Sequence, residues 1–442
     1  MTPRRAARAR ARAWVGVGLA LLALLVLLGG AGALVWALNV QGEEPVDAAL
    51  PAGPADPQQA ARGAYLARAG NCIGCHTARG GTPYAGGRAI ETPFGSVYST
   101  NLTPDPATGL AAWSAAQFWR ALHHGRSRDG RLLVPAFPYP NYTRVTRADS
   151  DAIHAYLRSL APVVQPTPPH ALRFPYDSQL ALALWRALYF RPASPQPAPP
   201  DESGAAAERR RGAYLVQGLG HCSACHAHRN ALGASLDPLD LGGGLIPMQH
   251  WYAPSLAAPS EAGVQDWEPD QIVALLGTGS TPQASVAGPM AEVVRDSTQH
   301  LTQADLRAMA AYLKALPVRA PAAAPTGPTA GAADPATGAR VYERECAACH
   351  GERGAGVPGI YLALAGNRAV TLASPVNAIR VVLEGGYAPS TAGNPRPYGM
   401  PPFATVLTNH EVAAVVTHMR SSWGNQAPAA DSLEVERLRG ER

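Results

Sequence analysis

From Trp14 to Leu38 the chain runs 25 residues without a charge. At about 1.5 Å per residue this stretch predicts a helix able to cross a bilayer core with some tilt. Ala31-Gly32-Ala33 is compatible with signal cleavage, so an uncleaved anchor and a removed signal both stand as expectations. Three later stretches share one helical pattern. Each opens on a threonine with an acid three residues on, Thr146 with Asp149, Thr302 with Asp305 and Thr408 with Glu411, a capping-box signature. Ten residues past each threonine, in an apolar run, stand Tyr156, Tyr312 and His418. A further helix is predicted over 115–124. Another over 178–190 carries Leu180, Leu182, Leu184, Trp185, Leu188, Tyr189 and Phe190, too apolar on every side for a solvated helix. It reads either as an appendage packed between neighbouring domains or as a helix for a membrane surface or partner.

Between these runs lie Pro-rich stretches at 161–169, 191–201 and 317–335, the last nearly all Ala, Pro, Gly and Thr. They separate copies of one plan, an internal repeat. Each copy begins with a short helical lead: Arg62-Gly63-Ala64-Tyr65-Leu66, Arg211-Gly212-Ala213-Tyr214-Leu215 and Gly338-Ala339-Arg340-Val341-Tyr342.

Chemistry follows each lead. Cys72-Ile73-Gly74-Cys75-His76, Cys222-Ser223-Ala224-Cys225-His226 and Cys346-Ala347-Ala348-Cys349-His350 all read C-x-x-C-H, the attachment signature of a c-type haem. Two thiols three residues apart can form thioethers to one porphyrin, while the next imidazole reaches the iron. The three motifs use all six cysteines, leaving none for a disulfide. Zinc would need two pairs on one site, and these pairs are too far apart in sequence for that. Three covalent haem c groups are therefore expected, with Cys72, Cys75, Cys222, Cys225, Cys346 and Cys349 as attachment points and His76, His226 and His350 as proximal ligands. The expected fold is all-α, three tandem cytochrome c domains after an N-terminal transmembrane helix. The expected division is anchor or signal 1–40, linker 41–60, domain 61–165, linker with apolar helix 166–202, domain 203–318, Pro/Ala-rich linker 319–334, domain 335–425 and tail 426–442.

A low-spin electron-transfer haem needs a sixth ligand, usually Met or His. Met290 and Met400 lie in Pro-containing loops shortly before the second and third threonine caps and are the expected distal ligands, whereas Met309 and Met419 fall inside helices and read as core. In the first copy the same slot holds Phe137, which cannot ligate iron, and no methionine occurs between Met1 and Met248. His123 and His124, ending the helix over 115–124, are the candidates there. An open or water-bound iron is the alternative. His154 and His170 are placed less favourably.

The formal net charge of +5 does not change this picture. Arg4, Arg5, Arg8, Arg10 and Arg12 precede the apolar run, and without them 32 basic residues face 32 acidic ones. The folded part is thus near neutral, and its charge gives no support to nucleic-acid binding. The positive-inside rule keeps the arginines in the cytoplasm and sends the haem domains to the periplasm, on the far side of the inner membrane.

Several stretches resemble the triheme cytochrome c subunits of bacterial membrane-bound dehydrogenases. They are 91–105 (Glu91-Thr92-Pro93-Phe94-Gly95-Ser96-Val97-Tyr98-Ser99-Thr100-Asn101-Leu102-Thr103-Pro104-Asp105), Thr108-Gly109 with Trp113, Arg211-Gly212-Ala213-Tyr214-Leu215, Met400-Pro401-Pro402-Phe403 and Ser422-Trp423-Gly424-Asn425. The resemblance covers nearly everything after residue 60. It implies an electron-transfer subunit with no substrate chemistry of its own. Electrons would come from a catalytic subunit with a flavin, PQQ or molybdopterin cofactor and pass to ubiquinone or a terminal oxidase. Phe137 departs from the alcohol and gluconate dehydrogenase pattern and is similar to cytochromes that accompany molybdopterin enzymes. An open haem 1 acting on peroxide or a small sulfur compound is the rival reading.

Overall fold

The computed structural model describes residues 3–50, 53–194, 203–235, 237, 239–320 and 335–440. Most of the Pro/Ala-rich linker expected at 319–334 lies outside them. The chain is mostly helical, and its skeleton is a helix pair made three times. A leading helix, Pro57–Ala69, Gly204–Ala213 or Pro335–Glu345, crosses a closing helix, Arg147–Arg158, Gln303–Lys314 or Asn409–Ser421. Glycine makes the crossings close. A Cβ on Gly63 would fall 1.8 Å from the Ala152 carbonyl oxygen, on Gly212 1.9 Å from that of Ala308, and on Gly338 2.3 Å from that of Ala414. One turn along the closing helix, the Cβ atoms of Tyr156, Tyr312 and His418 occupy the same place over the three glycines. This equivalence puts Arg340, not Tyr342, at the position of Tyr65 and Tyr214.

Each closing helix starts as the threonines predict, with the Thr146, Thr302 and Thr408 side chains accepting from the backbone N–H of Asp149, Asp305 and Glu411. The complete reciprocal box forms only at Thr408, where the Glu411 carboxylate accepts from the Thr408 N–H. Asp149 and Asp305 are a methylene shorter and are held elsewhere. Arg62 donates to Asp149, and Arg211 to Asp305 at 2.8 and 2.7 Å. The tyrosines of the leads then cross over: Tyr65 Oη donates to Asp305 at 2.6 Å and Tyr214 Oη to Asp149 at 2.5 Å. Charge-assisted bonds of this length are the stronger kind, and the reciprocal pair ties the first two haem segments together. Accordingly one buried apolar cluster runs from Leu66 to Leu313, and a second from Val341 to Leu438. The third lead has no such tyrosine, and Tyr342 Oη donates to the Gly351 carbonyl of its own segment at 2.6 Å.

Three expectations are corrected. The fold is not purely α, because short antiparallel strands interrupt it: Ala89–Thr92 with Gly95–Tyr98 and Ala171–Leu172, and hairpins at Gly244–Ile246/Trp251–Ala253, Ser280–Thr281/Ala284–Ser285 and Gly386–Tyr387/Gly399–Met400. Residues 426–442 are not a plain tail: Ser432–Gly440 is a helix burying Val435 and Leu438 against the last closing helix. The linker expected at 41–60 is not wholly unstructured, since Glu43 pairs with Arg126 at 2.8 Å and helix begins at Pro57.

The N-terminal helix spans Pro3–Val40; the apolar window in its Trp14–Val40 part has mean hydropathy 2.5 and no residue buried within the protein, while Asn39 near its end is buried. Its end is fastened to the folded part. Asn39 Nδ2 donates to the Ala183 carbonyl, Arg186 Nε donates to Asn39 Oδ1, both at 2.9 Å, and Arg126 donates to the Asn39 carbonyl at 3.0 Å. Ala183 and Arg186 belong to helix Gln179–Tyr189, capped by Ser178. One side of that helix contacts both neighbouring segments, with the Leu132 N–H donating to Gln179 and the Trp185 indole N–H to the Leu232 carbonyl.

Candidate haem sites

Each C-x-x-C-H motif folds as a single helical turn, Cys72–Cys75, Ser223–His226 and Ala347–His350. The turn puts both thiols and the histidine at one place because its residues advance by a little over three per revolution. In all three, the histidine Nδ1 lies against a backbone carbonyl: His76 on Thr100 at 2.7 Å, His226 on Pro254 at 2.7 Å, His350 on Leu362 at 2.9 Å. A carbonyl can only accept, so Nδ1 carries the proton and Nε2 is left with its lone pair for a metal. Burial also holds the three imidazoles below the ordinary histidine value, against the opposing carbonyl bonds. They are neutral donors with fixed tautomer and orientation. The six cysteines are unpaired. Burial pushes the Cys72 and Cys222 thiols up to about 12 and Cys346 to about 11.

The segments presenting those carbonyls are built for the task. Asn101 beside Thr100 donates to the Val163 carbonyl at 2.7 Å and accepts from the Thr103 N–H at 2.9 Å, pinning the turn at its back. Buried Glu261 accepts from the Ser255 N–H at 2.6 Å and the Tyr252 hydroxyl at 2.9 Å, on either side of Pro254. In the last segment Asn425 donates to the Leu364 carbonyl at 3.0 Å and accepts from the Gly366 N–H at 2.8 Å. Sequence reasoning missed these three carbonyls as functional atoms, although Thr100, Asn101 and Asn425 stood in the stretches that carry the resemblance.

A cavity of about 1530 Å³ joins the second and third motifs. Its wall contains Cys222, Cys225, His226 and Met290, and also Cys346, Cys349, His350 and Met400. A single ligand cleft is roughly 300–1,000 Å³, so the space is larger than one such cleft, and Met290, Met309, Met400 and Met419 all line it together with both motif histidines. Met290 is the second residue of helix Pro289–Asp296, and Met400 closes a two-stranded hairpin. Met309 and Met419 are buried in closing helices, as expected of core, and both also line this cavity. The two sites share more than space. Tyr252 N–H donates to Asn377 Oδ1 at 2.9 Å, Asn377 returns a bond to the Tyr252 carbonyl at 2.7 Å, and the Arg380 guanidinium lies over Trp251.

The first site differs. Phe137 packs on Tyr142 with ring centroids 5.4 Å apart, and Tyr142 Oη donates to the Gly70 carbonyl beside the motif. His123 and His124 end helix Ala115–His124 as predicted, both buried, their rings 4.7 Å apart. Burial, then His123 and the guanidinium groups of Arg186, Arg126 and Arg120, push His124 down to about 4, so it is neutral. His123 Nδ1 is buried and has no hydrogen-bond partner among the described residues. His154 lies against Phe118, its Nε2 also unpartnered, and His170 Nδ1 accepts from the Tyr98 N–H. The Cys72–Cys75 turn itself packs on helix Pro57–Ala69 and on helix Pro289–Asp296 behind Met290, where Arg88 bridges the Gly74 carbonyl and Glu292.

A family model described as cytochrome c matches residues 60–161 and 335–423. The chain is 38% identical over 409 residues to the alcohol dehydrogenase (quinone) cytochrome c subunit of Gluconacetobacter polyoxogenes, covering 87% of this chain and 85% of that one. It is 36% identical over 384 residues to the gluconate 2-dehydrogenase cytochrome c subunit of Pantoea cypripedii, covering 83% and 86%. It is also 40% identical over 380 residues to a subunit of the nicotinate dehydrogenase of Pseudomonas putida, covering 84% of this chain but 31% of that one. With haem-motif turns, tautomer-fixed histidines and these identities in agreement, the chain belongs to the family of alcohol and gluconate dehydrogenase cytochrome c subunits.

Proposed function

We propose that this protein carries three covalent haem c groups in three tandem cytochrome c domains and passes electrons from a catalytic dehydrogenase subunit to ubiquinone or a terminal oxidase. The N-terminal helix holds it in the inner membrane with the arginines in the cytoplasm and the haem domains in the periplasm. The observation that supports the reading is the shared cavity, lined by His226, His350, Met290 and Met400, with Met309 and Met419 also lining it from the closing helices. Haem, when bound, supplies a one-electron couple at each site. The chain's part is to attach it through the cysteines, to present His76, His226 and His350 as neutral donors, and to set potential through Met290, Met400 and burial.

Haem 1 takes no methionine in this reading, and His123 or His124 supplies its sixth bond. Two observations support them. His123 has an orphaned buried nitrogen. Counted back from the left-handed glycines Gly125 and Gly279 that cap their helices, His124 stands where Thr278 stands, and Thr278 lines the haem 2 side of the cavity. The donor is a molybdopterin, flavin or PQQ subunit. Phe137, together with the relative whose name gives nicotinate as substrate, an N-heterocycle, favours the molybdopterin type.

The test uses the full chain in proteoliposomes, reduced anaerobically and mixed with a short-tailed ubiquinone. Reoxidation of the haems by the quinone, unaffected by cyanide, is the expected result. Consumption of peroxide by a cyanide-binding high-spin centre, without quinone-driven oxidation, would instead establish the rival haem enzyme.

A further inference from the structure

We propose that helix Gln179–Tyr189 lies in the membrane surface, with Leu180, Leu184 and Leu188 in the boundary between headgroups and acyl chains. This rests on the reading of the N-terminal helix as a membrane anchor. The buried side of the helix is Leu182, Arg186 and Ala187, which face the protein. On the other side, Leu180, Leu184 and Leu188 are 69%, 46% and 67% exposed. Spaced at i, i+4 and i+8, they form one continuous stripe. The only charged residue of the helix, Arg186, is turned inward and bonded to Asn39.

What covers the stripe follows from where the helix is tied. Asn39 is the last residue but one of Pro3–Val40, and its amide holds the carbonyl of Ala183, at the middle of the second helix. The middle of that helix is thus fixed at the level where the membrane-length apolar run ends. Trp36, 68% exposed and one turn back along the run, stands where indoles collect at a bilayer interface. The loop entering the helix adds Phe174, 84% exposed, and Arg191 closes its far end on the Ala187 and Phe190 carbonyls. An apolar stripe at that depth, free of outward charge, meets lipid, and the chemistry is that of an interfacial helix. The helix would fix the tilt of the haem domains on the membrane, which a single spanning helix alone leaves free.

Full-length protein in proteoliposomes containing a phospholipid with a diazirine in the upper acyl chain is irradiated, and lipid adducts are mapped by mass spectrometry. Adducts are expected on 179–189 as well as on 14–40. In the variant L180E/L184E/L188E, those on 179–189 should be lost while those on 14–40 remain. If 14–40 is labelled and 179–189 is not, the interfacial helix is wrong and the anchor stands. If neither is labelled, the anchor reading has failed first. If the labelling of 179–189 in native membranes disappears when the catalytic dehydrogenase partner is bound, the stripe is a protein-docking face and the proposal is overturned.

Discussion

Replacing Met400 with alanine lowers the midpoint potential of one haem by on the order of 100 mV or more, and Met290→Ala does the same to a second, out of the roughly 0.8 V that axial ligands command. The direction follows from the ligand. With haem bound, Met400 or Met290 together with a motif histidine would favour the reduced iron, and removing the thioether would favour the oxidised form. Because the two methionines sit in one cavity with two motif histidines, each substitution should move one step of a three-step redox titration and leave the others within a few tens of millivolts by comparison. The third step, haem 1, should respond to neither. Phe137→Ala should leave all three steps in place, since that ring packs on Tyr142 and supplies no lone pair. A single substitution that shifted no step would remove that methionine from the ligand set.

Gly212→Val should destabilise the first two haem segments together, by about 3 kcal/mol or more, at the upper end of overpacking effects. The added Cβ alone would stand 1.9 Å from the Ala308 carbonyl oxygen and 2.8 Å from the Tyr312 Cβ, and both are on a helix that cannot yield locally. Separating the two helices also pulls Arg211 away from Asp305 and disturbs the Tyr65 and Tyr214 bonds that cross between segments. The loss should therefore spread to the segment around Cys72 and spare that around Cys346, which has its own buried cluster. Denaturant unfolding followed by the haem absorbance and circular dichroism checks this. Gly393→Ala is the control, since nothing lies within 4 Å of its added carbon.

What could be read from the sequence and what could not divides along a physical line. Side-chain signals were legible. Thr146, Thr302 and Thr408 marked the starts of three closing helices, and the helix expected over 115–124 is present as Ala115–His124. Backbone signals were not. The carbonyls of Thr100, Pro254 and Leu362 orient the three imidazoles, and a carbonyl belongs to every residue, so no residue type announces it. The strands escaped because they are only two to four residues long, too short for alternation to show. Long-range pairing was hidden for another reason. Asp149 and Asp305 looked like the acids of local capping boxes, yet the Asp149 carboxylate bonds to residues 87 positions before it and 65 after it, and that of Asp305 to residues 94 and 240 positions before it. The lead Arg-Gly-Ala-Tyr-Leu turns out to be a unit in which Arg bonds its own closing helix, Gly admits that helix and Tyr reaches the neighbouring segment. Only the three-dimensional arrangement separates those roles.

The central claim is that all three motifs hold haem covalently. Intact-mass measurement of the protein matured in a host with the cytochrome c assembly machinery tests it most directly, under denaturing conditions that strip any group held only by coordination. The account predicts the mass of the mature chain plus three haems, retained after acid extraction, and loss of one haem in each of the C72A/C75A, C222A/C225A and C346A/C349A variants. A wild-type mass carrying two haems or fewer would contradict it.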